Sequence, residues 1–60
     1  MDLVNRNITM SHSTPFGKKI FKDYIVINHS NNMWIARDNE GKLATFTFNA
    51  FLQNKIFVHT

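Results

Sequence analysis

Three runs of β-branched and aromatic residues, set apart by polar stretches of four residues, occupy the middle of this chain. Ile20 to Asn28 reads IFKDYIVIN, Met33 to Arg37 reads MWIAR, and Lys42 to Phe48 reads KLATFTF. Side chains of these types fit a pleated, half-buried surface and lose rotamer freedom in a helix. Between the first two runs stands His29-Ser30-Asn31-Asn32, and asparagine tolerates the left-handed backbone that tight turns need. Between the second and third stands Asp38-Asn39-Glu40-Gly41, with glycine where a positive φ is required. The pattern predicts a three-stranded antiparallel meander. In its third strand Ala44, Phe46 and Phe48 share one face, and Leu43, Thr45 and Thr47 share the other.

The flanks carry weaker signals. Residues 3–10, LVNRNITM, predict a strand in which Val4, Arg6 and Ile8 alternate with Asn5, Asn7 and Thr9. Ser11 to Gly17 predicts a loop, because Pro15 pushes Thr14 out of helical space and Gly17 permits a sharp turn. Asn49 is a good N-cap, and Phe48, Phe51, Leu52 and Ile56 fall near helical spacing, so residues 49–55 predict one or two helical turns. IFVHT, 56–60, then returns as a last strand. The fold class expected is all-β: a small barrel of about five short antiparallel strands in a single domain over 1–60, with one short helical turn near 49–55. A three-stranded antiparallel sheet covered by a C-terminal helix is the alternative. The core is expected from Ile25, Ile27, Ala36, Phe46 and Phe51, with apolar residues of the N-terminal segment.

Sixty residues without a cysteine exclude disulfides and every thiolate metal site. A chain this short buries only about 60% of the surface it exposes when unfolded, so self-association is an open route to further stability. The longest apolar run, Tyr24-Ile25-Val26-Ile27, is far short of the roughly 20 residues that span a bilayer. Met1 to Arg6 lacks the basic and apolar segments of a secretory leader, and the expected location is the cytoplasm. Net charge is +3 and the pI is near 9.7, which favours acidic surfaces or phosphate. Asn at 5, 7, 28, 31, 32, 39, 49 and 54, alongside many Ile, Lys and Phe, indicates A/T-rich codons. Small chains of this composition are expected among phage-type accessory proteins.

The order of predicted elements (strand, long loop, three-strand meander, short helical turn, final strand) resembles an SH3 domain. Met33-Trp34-Ile35-Ala36-Arg37-Asp38-Asn39-Glu40-Gly41 is similar to the family's W-W-x-A-R-…-G segment, with Trp34 on its second Trp and Ala36 on its small core Ala. Thr45 to Leu52, TFTFNAFL, is similar to the following Y-I-P-S-N-Y-V segment with one residue extra. The resemblance covers 33–52 and implies the barrel. Met33 stands where the family's proline-gripping Trp would be, and Thr47 where its ligand-side Pro would be. Recognition of polyproline needs that aromatic floor, so the ligand is not carried over.

Chemistry-bearing patterns are sparse. Ser11-His12-Ser13 lacks the glycines of a nucleophile elbow, and no phosphate-cradling glycine motif occurs. His12, His29 and His59 have no metal-ligand spacing, so neither catalysis nor a metal or other cofactor is expected. Asp38 and Glu40 belong to a turn. Binding is better supported. Lys18, Lys19 and Lys22 flank Phe16, Phe21 and Tyr24, a basic stretch interleaved with aromatics. Strand alternation places Trp34 with Ala36 and Met33 with Ile35, so a Met33–Ile35 stripe beside Tyr24 is expected to be exposed as an adaptable apolar patch. Trp34 is the second candidate anchor. The function expected is a non-enzymatic module that binds and modulates or inhibits a host protein. Nucleic-acid binding is the alternative.

Overall fold

Asparagine and glycine set the turns, and the turns set the sheet. The computed structural model describes residues 2–59. Met1, and Thr60 at the end of the expected last strand, lie outside the described residues. Five strands and one helix follow in order: β1 (Asn7–Ser13), β2 (Lys19–Ser30), β3 (Met33–Arg37), β4 (Leu43–Thr47), α1 (Phe48–Leu52) and β5 (Ile56–Val58). The strands make one open sheet in the order β4-β3-β2-β1-β5, every neighbouring pair antiparallel. The expected meander is β2-β3-β4. The alternative of three strands under a C-terminal helix is overturned, because β1 and β5 join the sheet and α1 has only five residues. No helix among the described residues is long and apolar enough to cross a membrane.

Two hairpins close with the same device. At Thr14–Gly17 and at Asp38–Gly41 the glycine N–H donates to the first residue's carbonyl at 3.1 Å, with φ of +79° and +82° at the two glycines. In each, the first residue's own N–H then bonds the carbonyl four residues on, at Lys18 and Lys42. The β2–β3 hairpin differs. Asn31 and Asn32 both have positive φ, 51° and 64°, between the paired residues Ser30 and Met33. Two left-handed residues in a two-residue loop make a type I′ turn, whose twist matches that of the strands.

One face of the sheet is the core. Ile8 and Met10 of β1, Tyr24 and Val26 of β2, Trp34 and Ala36 of β3, Phe46 of β4 and Ile56 of β5 are buried there with Leu3. Ala50 and Phe51 of α1 pack against them. Ala36, Phe46, Phe51 and the N-terminal contribution are as expected, but Ile25 and Ile27 are exposed. Every residue from Tyr24 to Ile27 is apolar, so alternation alone leaves the strand two phases. Lys22 selects between them: its ammonium reaches the buried Asp38 carboxylate, which puts Tyr24 and Val26 inward. A bulge between Val26 and Asn28 then shifts the register, so His29 meets Trp34 across the inner face.

The ends of the elements also move. β1 starts at Asn7 rather than Leu3 and runs into the stretch expected as loop. The helix begins at Phe48, so Phe48 leaves β4 and is half-exposed, and the N-cap is Thr47, not Asn49. Asn54 ends the helix at φ 58°. Its N–H bonds the Phe51 carbonyl at 3.0 Å and the Lys55 N–H bonds that of Ala50 at 2.9 Å, the paired hydrogen bonds of a Schellman motif.

Candidate binding surfaces

The outer face of the sheet is the first candidate. Strand pairing sets its side chains in rows: Asn7, Ile25, Arg37 and Leu43 across four strands, then Asn28, Ile35 and Thr45, then Ser30, Met33 and Thr47. On the β5 side, Phe57 lies opposite Thr9 and reaches Phe21, with ring centroids 6.3 Å apart. The apolar members are open to solvent: Leu43 64%, Phe21 60%, Phe57 47%, Ile25 46% and Met33 39% exposed. Ile35 is half-buried among them.

The four residues expected at a partner site are split by the sheet. Met33 and Ile35 are on the outer face, while Trp34 and Tyr24 are buried on the inner one. The stripe beside Tyr24 is therefore corrected: Ile25, not Tyr24, is the β2 residue on the side of Met33 and Ile35. Tyr24 Oη lies 3.1 Å from His12 Nε2, with the rings edge to face. Trp34 is the middle of a parallel stack, with His29 on β2 at 4.4 Å and Phe46 on β4 at 5.5 Å between centroids. Its Nε1 is buried without a hydrogen-bond partner among the described residues. Beside it a small recess is lined by His29, Asn32, Trp34 and Phe48.

The basic stretch is divided as well. Lys18 and Lys19 stand exposed at the β1–β2 hairpin, whose tip carries Phe16, 90% exposed. Lys22 leaves the group. Its Nζ lies 2.9 Å from Asp38 Oδ2, and the Asp38 side chain is almost wholly buried. Asp38 Oδ1 also accepts the N–H groups of Glu40 at 2.8 Å and Lys42 at 2.9 Å, the turn role expected of it. Hydrogen bonding to Lys22 lowers the Asp38 carboxyl below its ordinary value against the opposing effect of desolvation, with the two backbone donors adding to the lowering. The same hydrogen bond raises Lys22.

Thr9, Asp23 and His59 meet on the outer face although nothing in their spacing announced it. Thr9 Oγ1 is 2.6 Å from Asp23 Oδ1 and 2.6 Å from His59 Nε2. With its one proton given to the carboxylate, the hydroxyl accepts from the His59 N–H. A nucleophilic triad needs the imidazole between carboxylate and hydroxyl; here the hydroxyl is in the middle. The arrangement ties the end of β5 to β1 and β2. Among the described residues no group of three or more His, Asp or Glu is placed to hold a metal ion.

A cleft of about 460 Å³ runs along the free side of β4. Thr45, Phe46 and Thr47 form one wall, with Met33 of β3 beside Thr47; Asn49, Ala50 and Gln53 of the α1 segment form its end, and Met10 to His12 with Lys55 and Ile56 the other wall. The Ser11 N–H bonds the Lys55 carbonyl at 2.8 Å and holds that second wall together. Neither the cleft nor the Thr9–His59 contact was legible in the sequence, because both join residues more than thirty positions apart. Comparison with protein-family models, with curated proteins and with solved structures gives no match.

Proposed function

We propose that this protein is a non-enzymatic binding module on a small SH3-like barrel, and that it docks on another protein through the outer face of its sheet. The observation that carries the reading is the solvent exposure of Phe21, Ile25, Met33, Leu43 and Phe57 on that one face. A chain with nine buried core residues gains nothing in solubility by leaving five large apolar residues open, and exposed apolar patches mark interaction sites. Arg37 in the same rows and Lys19 at the margin favour a partner with an apolar centre and an acidic rim. The element order and the 33–52 segment support the SH3-like barrel. The asparagine-rich composition supports a phage-type accessory protein that modulates or inhibits a host protein in the host cytoplasm.

Nucleic-acid binding is the second reading, favoured by Phe16, Lys18 and Lys19 at one hairpin tip. One experiment separates the two. The chain is used to capture partners from host lysate with and without nuclease treatment, beside Met33→Asp and the double variant Lys18→Glu, Lys19→Glu. A protein retained by the native chain and the lysine variant but lost by Met33→Asp supports the outer face. Loss with the lysine variant, or on nuclease treatment, transfers the site to the hairpin tip.

A further inference from the structure

The strand pairing determines which backbone groups of β4 are free. The Asp38 N–H bonds the Lys42 carbonyl at 3.0 Å, so Asp38 and Lys42 are a hydrogen-bonded pair of the β3–β4 ladder. Antiparallel ladders alternate hydrogen-bonded and non-hydrogen-bonded pairs. Ala36–Ala44 and Trp34–Phe46 are therefore bonded pairs, and the N–H and C=O groups of Leu43 and Thr45 point away from β3. The same counting holds elsewhere in the sheet: the Val26 N–H bonds the Arg6 carbonyl and the His59 N–H bonds that of Asn7, each in the phase it requires. Among the described residues no other hydrogen bond reaches the backbone of Leu43 to Phe46. β4 also lacks the devices that blunt an open edge, since LATFT holds no proline, no charge and no bulge.

The cleft described above lies along this edge, with Thr45 to Thr47 as one wall. Its volume of about 460 Å³ suits a few residues of extended chain rather than a whole second sheet. The charged side chain in its lining is Lys55, joined by His12, and the lining contains no carboxylate. We propose that β4 is a strand-addition site: an extended acidic peptide segment of a protein partner runs along the β4 edge into the cleft, pairs with the free N–H and C=O groups of Thr45 inside it and of Leu43 beyond its mouth, and sets a carboxylate against Lys55. Main-chain hydrogen bonds supply the affinity in this mode of recognition, and side-chain contacts supply the choice of sequence. The inference rests on the reading of the protein as a protein-binding module, but uses the backbone edge of β4 and the cleft, which border the outer face at Met33, Thr45 and Thr47.

The test is an NMR titration of the ¹⁵N-labelled chain with an acetylated, amidated hexapeptide that alternates threonine and valine and carries one central glutamate, to about 1 mM. The expected result is shifts and exchange protection at the Leu43 and Thr45 amides, with shifts at Lys55. Glutamate-to-lysine exchange in the peptide should weaken binding about threefold, the scale of one exposed ion pair. Methylating alternate peptide nitrogens, which removes the ladder bonds at constant charge, should abolish it. Thr45→Pro should do the same from the protein side, since an edge-facing N–H is where a strand tolerates proline. If that variant unfolds, the methylated peptide still decides. No binding, equal binding of the methylated peptide, concentration-dependent self-association through β4 instead, or shifts confined to Phe21, Ile25 and Phe57 would each overturn the proposal. Phe21→Asp, on the outer face and outside the cleft lining, should bind the peptide normally, so failure here with outer-face capture intact removes this site alone.

Discussion

Asn5, Asn31, Asn32 and Asn54 are, among the described residues, the non-glycine residues with positive φ, half of the eight asparagines in the chain. Codon composition accounts for why asparagine is abundant; the backbone accounts for where four of them stand. An ordinary L-residue in the left-handed region costs about 1–2 kcal/mol, which asparagine reduces through local hydrogen bonding and glycine avoids. Asn54→Ala should therefore lower stability by about 1 kcal/mol, while Asn54→Gly leaves it unchanged or better, measured by urea denaturation. The corrected phase of β2 makes a second residue-level contrast. Val26 is fully buried and Ile25 is exposed on the other face. Val26→Ala should cost about 2 kcal/mol from two buried methyl groups and the space they leave, whereas Ile25→Ala should stay within about 0.5 kcal/mol. Equal losses would return Ile25 to the core.

At the scale of elements, the sequence was most legible where turn chemistry and alternation agree. β3 has the bounds read from MWIAR, and the turns at Asn31-Asn32 and Asp38–Gly41 are where asparagine and glycine put them. The short helix and the last strand were legible in kind and order, with the helix ending three residues before the expected 55. The phase of β2 was not, because Tyr24 to Ile27 is apolar at every position and the deciding partner, Asp38, is sixteen residues from Lys22. The same separation hid the fact that Lys22 is not a free basic residue, and that Tyr24 cannot share a surface with Met33. The Lys22–Asp38 pair clamps β2 to the β3–β4 turn, and its pH dependence has a definite sign. Asp38 is lowered, so its stabilisation is complete above the ordinary aspartate range near pH 4 and is lost as pH falls through its lower folded value. Lys22 is raised, so its share is complete below about pH 10.5 and is lost only above that. Acid titration of the melting temperature should show a loss below about pH 4 that is absent in Asp38→Asn, which starts from a lower plateau. A native-like acid loss in Asp38→Asn would assign it to other carboxylates.

The fold rests on nine buried core residues, in a chain whose lack of cysteine rules out any disulfide to reinforce them. Comparable apolar bulk faces outward. A domain of this size is of marginal stability, so any partner that covers the outer face acts on the folding equilibrium as strongly as on function. A partner at a hundred times its dissociation constant adds about 2.7 kcal/mol, and each kcal/mol moves the melting temperature of a domain this small by about 4–8 °C. Binding through the outer face should thus raise the melting temperature by roughly 10–20 °C, read by differential scanning fluorimetry or from the single Trp34. Met33→Asp should abolish that rise, because it places a charge within the apolar patch, while the unbound melting temperature stays within a few degrees of native. The lysine double variant at the hairpin tip should keep the rise. If Met33→Asp instead melts far below the native chain without partner, Met33 serves the fold rather than the interface, and the exposed face loses its role as the docking surface.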